Sequence, residues 1–101
     1  MPFRFSLQAV LRCRESFERR ERQRLEMITR EVVKAQQQHA QAKLDRDEAL
    51  IAVQKKLREG LRAAEMQFEL ASDRARLQRI AALNDQRAKL EDLRRRQVMI
   101  I

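Results

Sequence analysis

One histidine and one cysteine, His39 and Cys13, are the only such residues in the chain. A histidine acting as general base or metal ligand needs a carboxylate or a second imidazole about one helical turn away. The residues one turn from His39 are Ala35 and Lys43. Cys13 lies between Arg12 and Arg14, and neighbouring cations favour a thiolate. With no second cysteine no internal disulfide is possible, and the sulfur reads as passive. No glycine-rich phosphate loop is present. The sequence therefore reads as a non-enzyme, with no cofactor, no metal and no small-molecule substrate. Met27, Met66 and Met99 read as flexible fillers of helix seams.

Two arginine runs, Arg19-Arg20-Glu21-Arg22 and Arg94-Arg95-Arg96, could neutralise phosphates. Zipper proteins that read DNA place a basic region ahead of clean leucine heptads. Here acids interrupt the bases, and no aromatic is placed to stack on single-stranded bases. Both runs read as solvated helix faces, and nucleic acid is not the expected partner.

The head is different. Residues 1–17 read MPFRFSLQAVLRCRESF. Ser6 suits a helix N-cap, since its hydroxyl can accept a free backbone N–H of the first turn. Phe5 and Val10 would then hold the two positions of a hydrophobic staple, although Ala9 stands where a capping box needs Glu or Gln. The staple leaves Phe3, Leu7, Leu11 and Phe17 unexplained. They pack against a longer second helix, or they meet a partner. Phe68 has the same two readings, as a seam residue or as a contact residue.

The elements that must position these residues follow from composition. Of 101 residues, 38% are charged, and there is one glycine and one proline. An A, E, K, L, R and Q-rich chain with almost no turn-formers is that of long helices and coiled coils. The length suits one domain, residues 1–101. The net charge of +8 is spread along the chain and attracts acidic proteins, nucleic acid or anionic membrane without choosing among them. No apolar run approaches the roughly 20 residues of a membrane helix, and the N-terminus lacks a secretory h-region. The expectation is a soluble bacterial-type protein of the cytoplasm.

From Ser6 to Gly60 nothing breaks a helix. Leu25, Ile28, Val32, Ala35, His39, Ala42, Arg46, Ala49 and Val53 step by three and four in alternation, a heptad seam. Between Phe17 and Leu25 the step is eight, which reads as a register slip. Pairs such as Glu15–Arg19, Glu26–Arg30, Glu91–Arg95 and Asp92–Arg96 are spaced for i,i+4 attraction. Gly60 is the candidate stop, because a glycine can take the left-handed C′ geometry, and Lys55, Lys56 and Arg58 suit the negative end of the helix dipole. A second helix from about residue 61 to 101 shows Ala64, Phe68, Ala71 and Ala75, then Ile80, Leu83 and Leu90, with a second slip between Ala75 and Ile80.

The expected fold is all-α: a long antiparallel coiled-coil hairpin, with helix 1 over about 6–59, a tip near Gly60 and helix 2 over about 61–101. The alternative is one continuous helix that dimerises, since a lone helical glycine costs only about 1 kcal/mol. In the hairpin, residue 101 returns only to about residue 20, which leaves the head without a partner. Together with the apolar ending Val98-Met99-Ile100-Ile101, this suggests a shortened C-terminus or an end that docks on something.

The opening Phe3-Arg4-Phe5-Ser6-Leu7-Gln8-Ala9-Val10-Leu11-Arg12 resembles the start of FliJ-type flagellar export proteins. The segment from Gly60 to Phe68 resembles that family's tip. Members usually run longer, with a second helix that returns to the head. The resemblance implies a stalk that enters the hexameric flagellar export ATPase, reaches the export gate membrane protein and escorts export chaperones. It would sit in the cytoplasm, peripheral to the inner membrane. The partner-binding residues it implies are Phe3, Phe5, Leu7, Val10, Leu11, Arg12 and Arg14 at the ring, and Phe68 at the gate. A related injectisome stalk, or a basic coiled-coil adaptor that binds nucleic acid or scaffolds a dimer, are the alternatives.

Overall fold

The computed structural model describes residues 2–101, with side chains from Leu7 onward. Two helices make up the chain, α1 (Pro2–Glu59) and α2 (Ala63–Ile100). They fold back on each other into an antiparallel hairpin measuring 89 × 15 × 15 Å. The single continuous helix is thereby excluded.

Gly60 makes the turn possible. Its φ of +94° is open to glycine and strained for any residue with a Cβ. The Gly60 N–H donates to the Leu57 carbonyl at 3.3 Å, closing the last turn of α1. Arg62 is extended, at φ −74° and ψ 154°, and its carbonyl accepts the first helical bond of α2 from the Met66 N–H at 3.0 Å. Lys56 and Arg58 lie in the last turn of α1 and Glu65 in the first turn of α2. Each charge opposes the dipole end it faces.

α1 begins at Pro2, ahead of the Ser6 start expected from the sequence. Proline suits the first turn of a helix, where its missing N–H would have had no intrahelical acceptor. Helical backbone runs through Ser6, so the Ser6 cap and its Phe5–Val10 staple have no helix end to act on. The side chains of Phe5 and Ser6 lie outside the described ones.

The α1 seam packs as its spacing indicates. Val32 and Ala35 are buried, and Leu25, Ile28, His39, Ala42, Arg46, Ala49 and Val53 are half-buried. The expected slip after Phe17 is a correction: the buried Glu21 stands four residues before Leu25 on the seam, the heptad spacing continues back to Glu18, and Phe17 lies beside that line and not on it. It was hidden because a seam position there carries a carboxylate.

α2 corrects the sequence reading more strongly. Its inward series runs through Met66, Glu69, Asp73, Arg76, Ile80, Leu83, Arg87 and Leu90, again in steps of three and four, and resumes one heptad on at Gln97. Ala64, Phe68, Ala71 and Ala75 are exposed. The slip before Ile80 does not exist. The inner face of this half-helix is charged, and its two carboxylates, Glu69 and Asp73, are paired across the hairpin. Arg46 Nε and Nη2 donate to the two carboxylate oxygens of Asp73 at 2.9 and 3.1 Å. Lys56 reaches Glu69 at 3.0 Å, and Gln36 Nε2 donates to Glu91 at 3.0 Å. Near the open end, Gln97 Nε2 donates to both the backbone carbonyl and the carboxylate of Glu21.

Of the expected i,i+4 pairs, Asp92–Arg96 closes at 2.9 Å. Glu91 turns instead to Arg87, at 3.0 Å, and to Gln36. Glu18 lies 3.9 Å from Arg14.

Gly60→Ala is expected to lower stability by about 1 kcal/mol, the cost of forcing a Cβ into left-handed backbone, although no atom lies within 4 Å of the added methyl. A thermal melt followed by circular dichroism reads the change, and a raised melting temperature would contradict the turn. A second expectation concerns acid. The hydrogen-bonded Arg46 guanidinium holds the Asp73 carboxyl below its ordinary value, and Gln36 with Arg87 does the same for Glu91. Partial burial, with Lys43 and Arg87 nearby, lowers His39. In each case the unfolded chain takes up protons first, so stability falls as pH drops. The histidine part is lost below about pH 6.5 and the carboxylate part below about pH 4. Melting temperature against pH should show both steps. His39→Ala should flatten the upper step, and Asp73→Asn should shrink the lower one while lowering stability at neutral pH.

Candidate partner-binding surfaces

The two helices are unequal in length, and this exposes a surface. Gln97 sits beside Glu21, and α2 ends one turn later at Ile100. The part of α1 before about residue 18 therefore extends beyond α2. Leu7, Val10, Leu11 and Phe17 lie there, 58%, 64%, 49% and 54% exposed.

The orientation of these residues follows from their spacing. Leu7, Leu11, Arg14, Glu18, Glu21 and Leu25 alternate steps of four and three, so Leu7 and Leu11 fall on the line of the buried seam. Val10 and Phe17 flank that line on one side. The exposed stripe is the coiled-coil seam continued past the end of its partner helix. Arg14 sits in the middle of it with its side chain mostly in water and its guanidinium near Glu18. Arg12 is exposed on the neighbouring face. Of the expected contact residues, Leu7, Val10, Leu11, Arg12 and Arg14 thus share one end of the rod. Phe3 and Phe5 have side chains outside the described ones.

Phe68 lies at the opposite end. It is 69% exposed, so the seam reading of this residue is overturned. With Leu61, Ala64 and the stems of Lys56 and Glu69 it lines a shallow groove beside the turn. Hydrophobic periodicity favours the seam reading here because the polar inner face of α2 makes the outer face look like the core.

The other candidates for chemistry stay apart. His39 is half-buried in the seam and faces cationic Lys43 and Arg87. Cys13 is a free, exposed thiol. Among the described residues, no three His, Cys, Asp or Glu side chains gather as a metal set, and no helix is long and apolar enough to cross a membrane.

If the stripe and Phe68 are contact surfaces, shortening them should not affect the fold. Leu7→Ala and Phe68→Ala are expected to change stability by less than about 0.5 kcal/mol, whereas Val32→Ala, which removes two buried methyl groups, should cost about 1–2 kcal/mol. Chemical denaturation of the three variants separates the two classes. Compared with family models, with curated proteins and with solved structures, the chain gave no match.

Proposed function

We propose that this chain is a non-enzymatic stalk of the bacterial flagellar type III export apparatus, engaging the hexameric export ATPase and linking it to the export gate and to export chaperones. The observation that carries the reading is a narrow rod with an apolar, arginine-flanked surface at one end and an exposed phenylalanine at the other. A coil held by packing and by cross-helix ion pairs along its length can pass position or torque between two machines. The resemblance of the residue 3–12 head to FliJ-type proteins supplies the identity of those machines.

In this reading Leu7, Val10 and Leu11 seat in apolar depressions of the ring while Arg12 and Arg14 meet acidic groups at its rim. Phe3 and Phe5 belong to the same contact by sequence. Phe68 and the groove beside it face the gate. The basic surface would make the ring contact salt-sensitive, since exposed charges are screened within about 10 Å at 0.1 M salt. The protein would work in the cytoplasm at the inner face of the membrane.

The test is to add the chain to a purified flagellar export ATPase and follow both hexamer fraction and ATP hydrolysis. Both are expected to rise, and Leu7→Ala with Leu11→Ala should reduce the rise severalfold. Added salt should weaken it too. No stimulation by the unmodified chain would refute the reading.

A further inference from the structure

We infer that one flank of the hairpin near its turn is a self-association surface, on which a second copy of this chain lies side by side with the first and completes a four-helix bundle. The inference does not depend on the export reading, whose ring contact uses the other end of the rod.

The Gln36–Glu91 hydrogen bond shows which residues of the two helices meet along this flank. Steps of seven from that pair toward the turn, forward along α1 and backward along α2, give Lys43 with Asn84, Leu50 with Leu77, and Leu57 with Leu70. The flank is polar at mid-rod and becomes four leucines near the turn. Leu57, Leu70 and Leu77 are 46%, 57% and 44% exposed, and Leu50 is half-buried. The other flank at the same level carries Asp45, Ala52 and Glu59 on α1 and Glu65, Ser72 and Arg79 on α2. Leucines beside the seam gain little in a two-helix coil. In a four-helix bundle they are core, because each helix then buries a broader stripe. Among the described residues, Val32 and Ala35 are the only buried apolar side chains, so the hairpin alone leaves these leucines without a core.

The charges at the edges of the flank identify the occupant. Arg46 and Asp73 are hydrogen-bonded across the seam, which places their successors, Asp47 and Arg74, at one level of the rod. Asp47 lies on the outer edge of the flank beside Leu50, and Arg74 lies on the other edge between Leu70 and Leu77. Both are exposed, and neither forms an ion pair among the described residues. A second copy turned about an axis along the rod sets its α2 over the first copy's α1. Asp47 of each copy then faces Arg74 of the other, twice, on either side of eight leucines. Turning about an axis across the rod instead stacks α2 on α2 and sets Arg74 against its own counterpart, which like-charge repulsion disfavours. The flank is therefore complementary to itself in one arrangement: rods parallel, turns at the same end, and neighbouring helices antiparallel. Eight leucines and two solvated ion pairs form an interface at the low end of specific ones, so dissociation in the micromolar range is expected.

Sedimentation equilibrium on the full chain should show a monomer–dimer exchange in that range. Small-angle scattering should show the longest dimension staying near 89 Å while the cross-section grows. Leu57→Glu with Leu77→Glu should leave helicity unchanged by circular dichroism and abolish the dimer. Asp47→Arg alone should weaken it severalfold, and adding Arg74→Asp should restore it by reforming the pairs with reversed polarity. Adding Arg79→Asp instead, which restores net charge on the other flank, should not. A monomer at every concentration would overturn the proposal. So would a dimer much longer than the monomer, a dimer unaffected by the double glutamate variant, or rescue by Arg79→Asp as complete as by Arg74→Asp. If ATPase stimulation fails while this dimer forms, the export reading falls and the flank assignment stands; the reverse result rejects only the dimer.

Discussion

The position of one backbone angle sets the geometry of this rod. Gly60 is the only glycine in the chain and the only described residue with positive φ, and it divides the helix into arms of 58 and 38 residues. Because the arms are unequal, the seam of α1 continues beyond the last turn of α2. The exposed stripe thus has the residue pattern of ordinary coiled-coil core. That is why it displays leucine and valine at heptad spacing and no specialised motif.

The seam itself is held in an unusual way. Only Glu21, Val32, Ala35 and Gln97 are buried among the described residues, and two of these four are polar. An alanine-rich seam brings the helices close but offers little apolar area to discriminate one register from another. Directional contacts supply that discrimination. The two-pronged Arg46–Asp73 pair, with Lys56–Glu69 on the tip side and Gln97–Glu21 near the open end, is satisfied in one alignment, and a slide of one heptad breaks all three. Such pairs add little net stability when they are partly solvated. Arg76 Nη1 and Arg87 Nε, buried without hydrogen-bond partners, add a cost. The design favours a fixed register over a high melting point.

The same polar seam explains what the sequence could and could not show. The α1 heptads were legible because Leu25, Ile28, Val32 and Ala35 contrast with charged neighbours. Glu21 was not, since a carboxylate at a seam position looks like a solvent residue, so a continuous series read as a slip. On the first half of α2 the contrast is reversed. Glu69, Asp73 and Arg76 point inward while Phe68, Ala71 and Ala75 point out. Hydrophobic periodicity then marks the wrong face, because charge pairing across the hairpin, invisible within one helix, decides which side is buried. The Ser6 cap misled for a different reason: a good capping residue sits inside a helix that Pro2 can start. The overhang, by contrast, follows from counting residues on each side of Gly60, which leaves Phe3, Leu7, Leu11 and Phe17 unpartnered, whereas Val10 enters as a contact only through the family resemblance.

The overhang has a further physical consequence for any partner. An isolated helix of its length would be marginal in water, because nucleation costs more than a short run of hydrogen bonds returns. Here nucleation has already occurred in the packed part of α1, and no glycine or proline interrupts the chain from Leu7 to Glu59. The head is an extension by propagation alone, so its stripe is formed before docking. A partner therefore does not have to offset the ordering of a disordered segment, which commonly consumes a few kcal/mol of binding free energy. Four half-exposed apolar side chains on a preformed helix can then support a weak but specific contact, while the arginines around them repel other basic surfaces and draw in acidic ones.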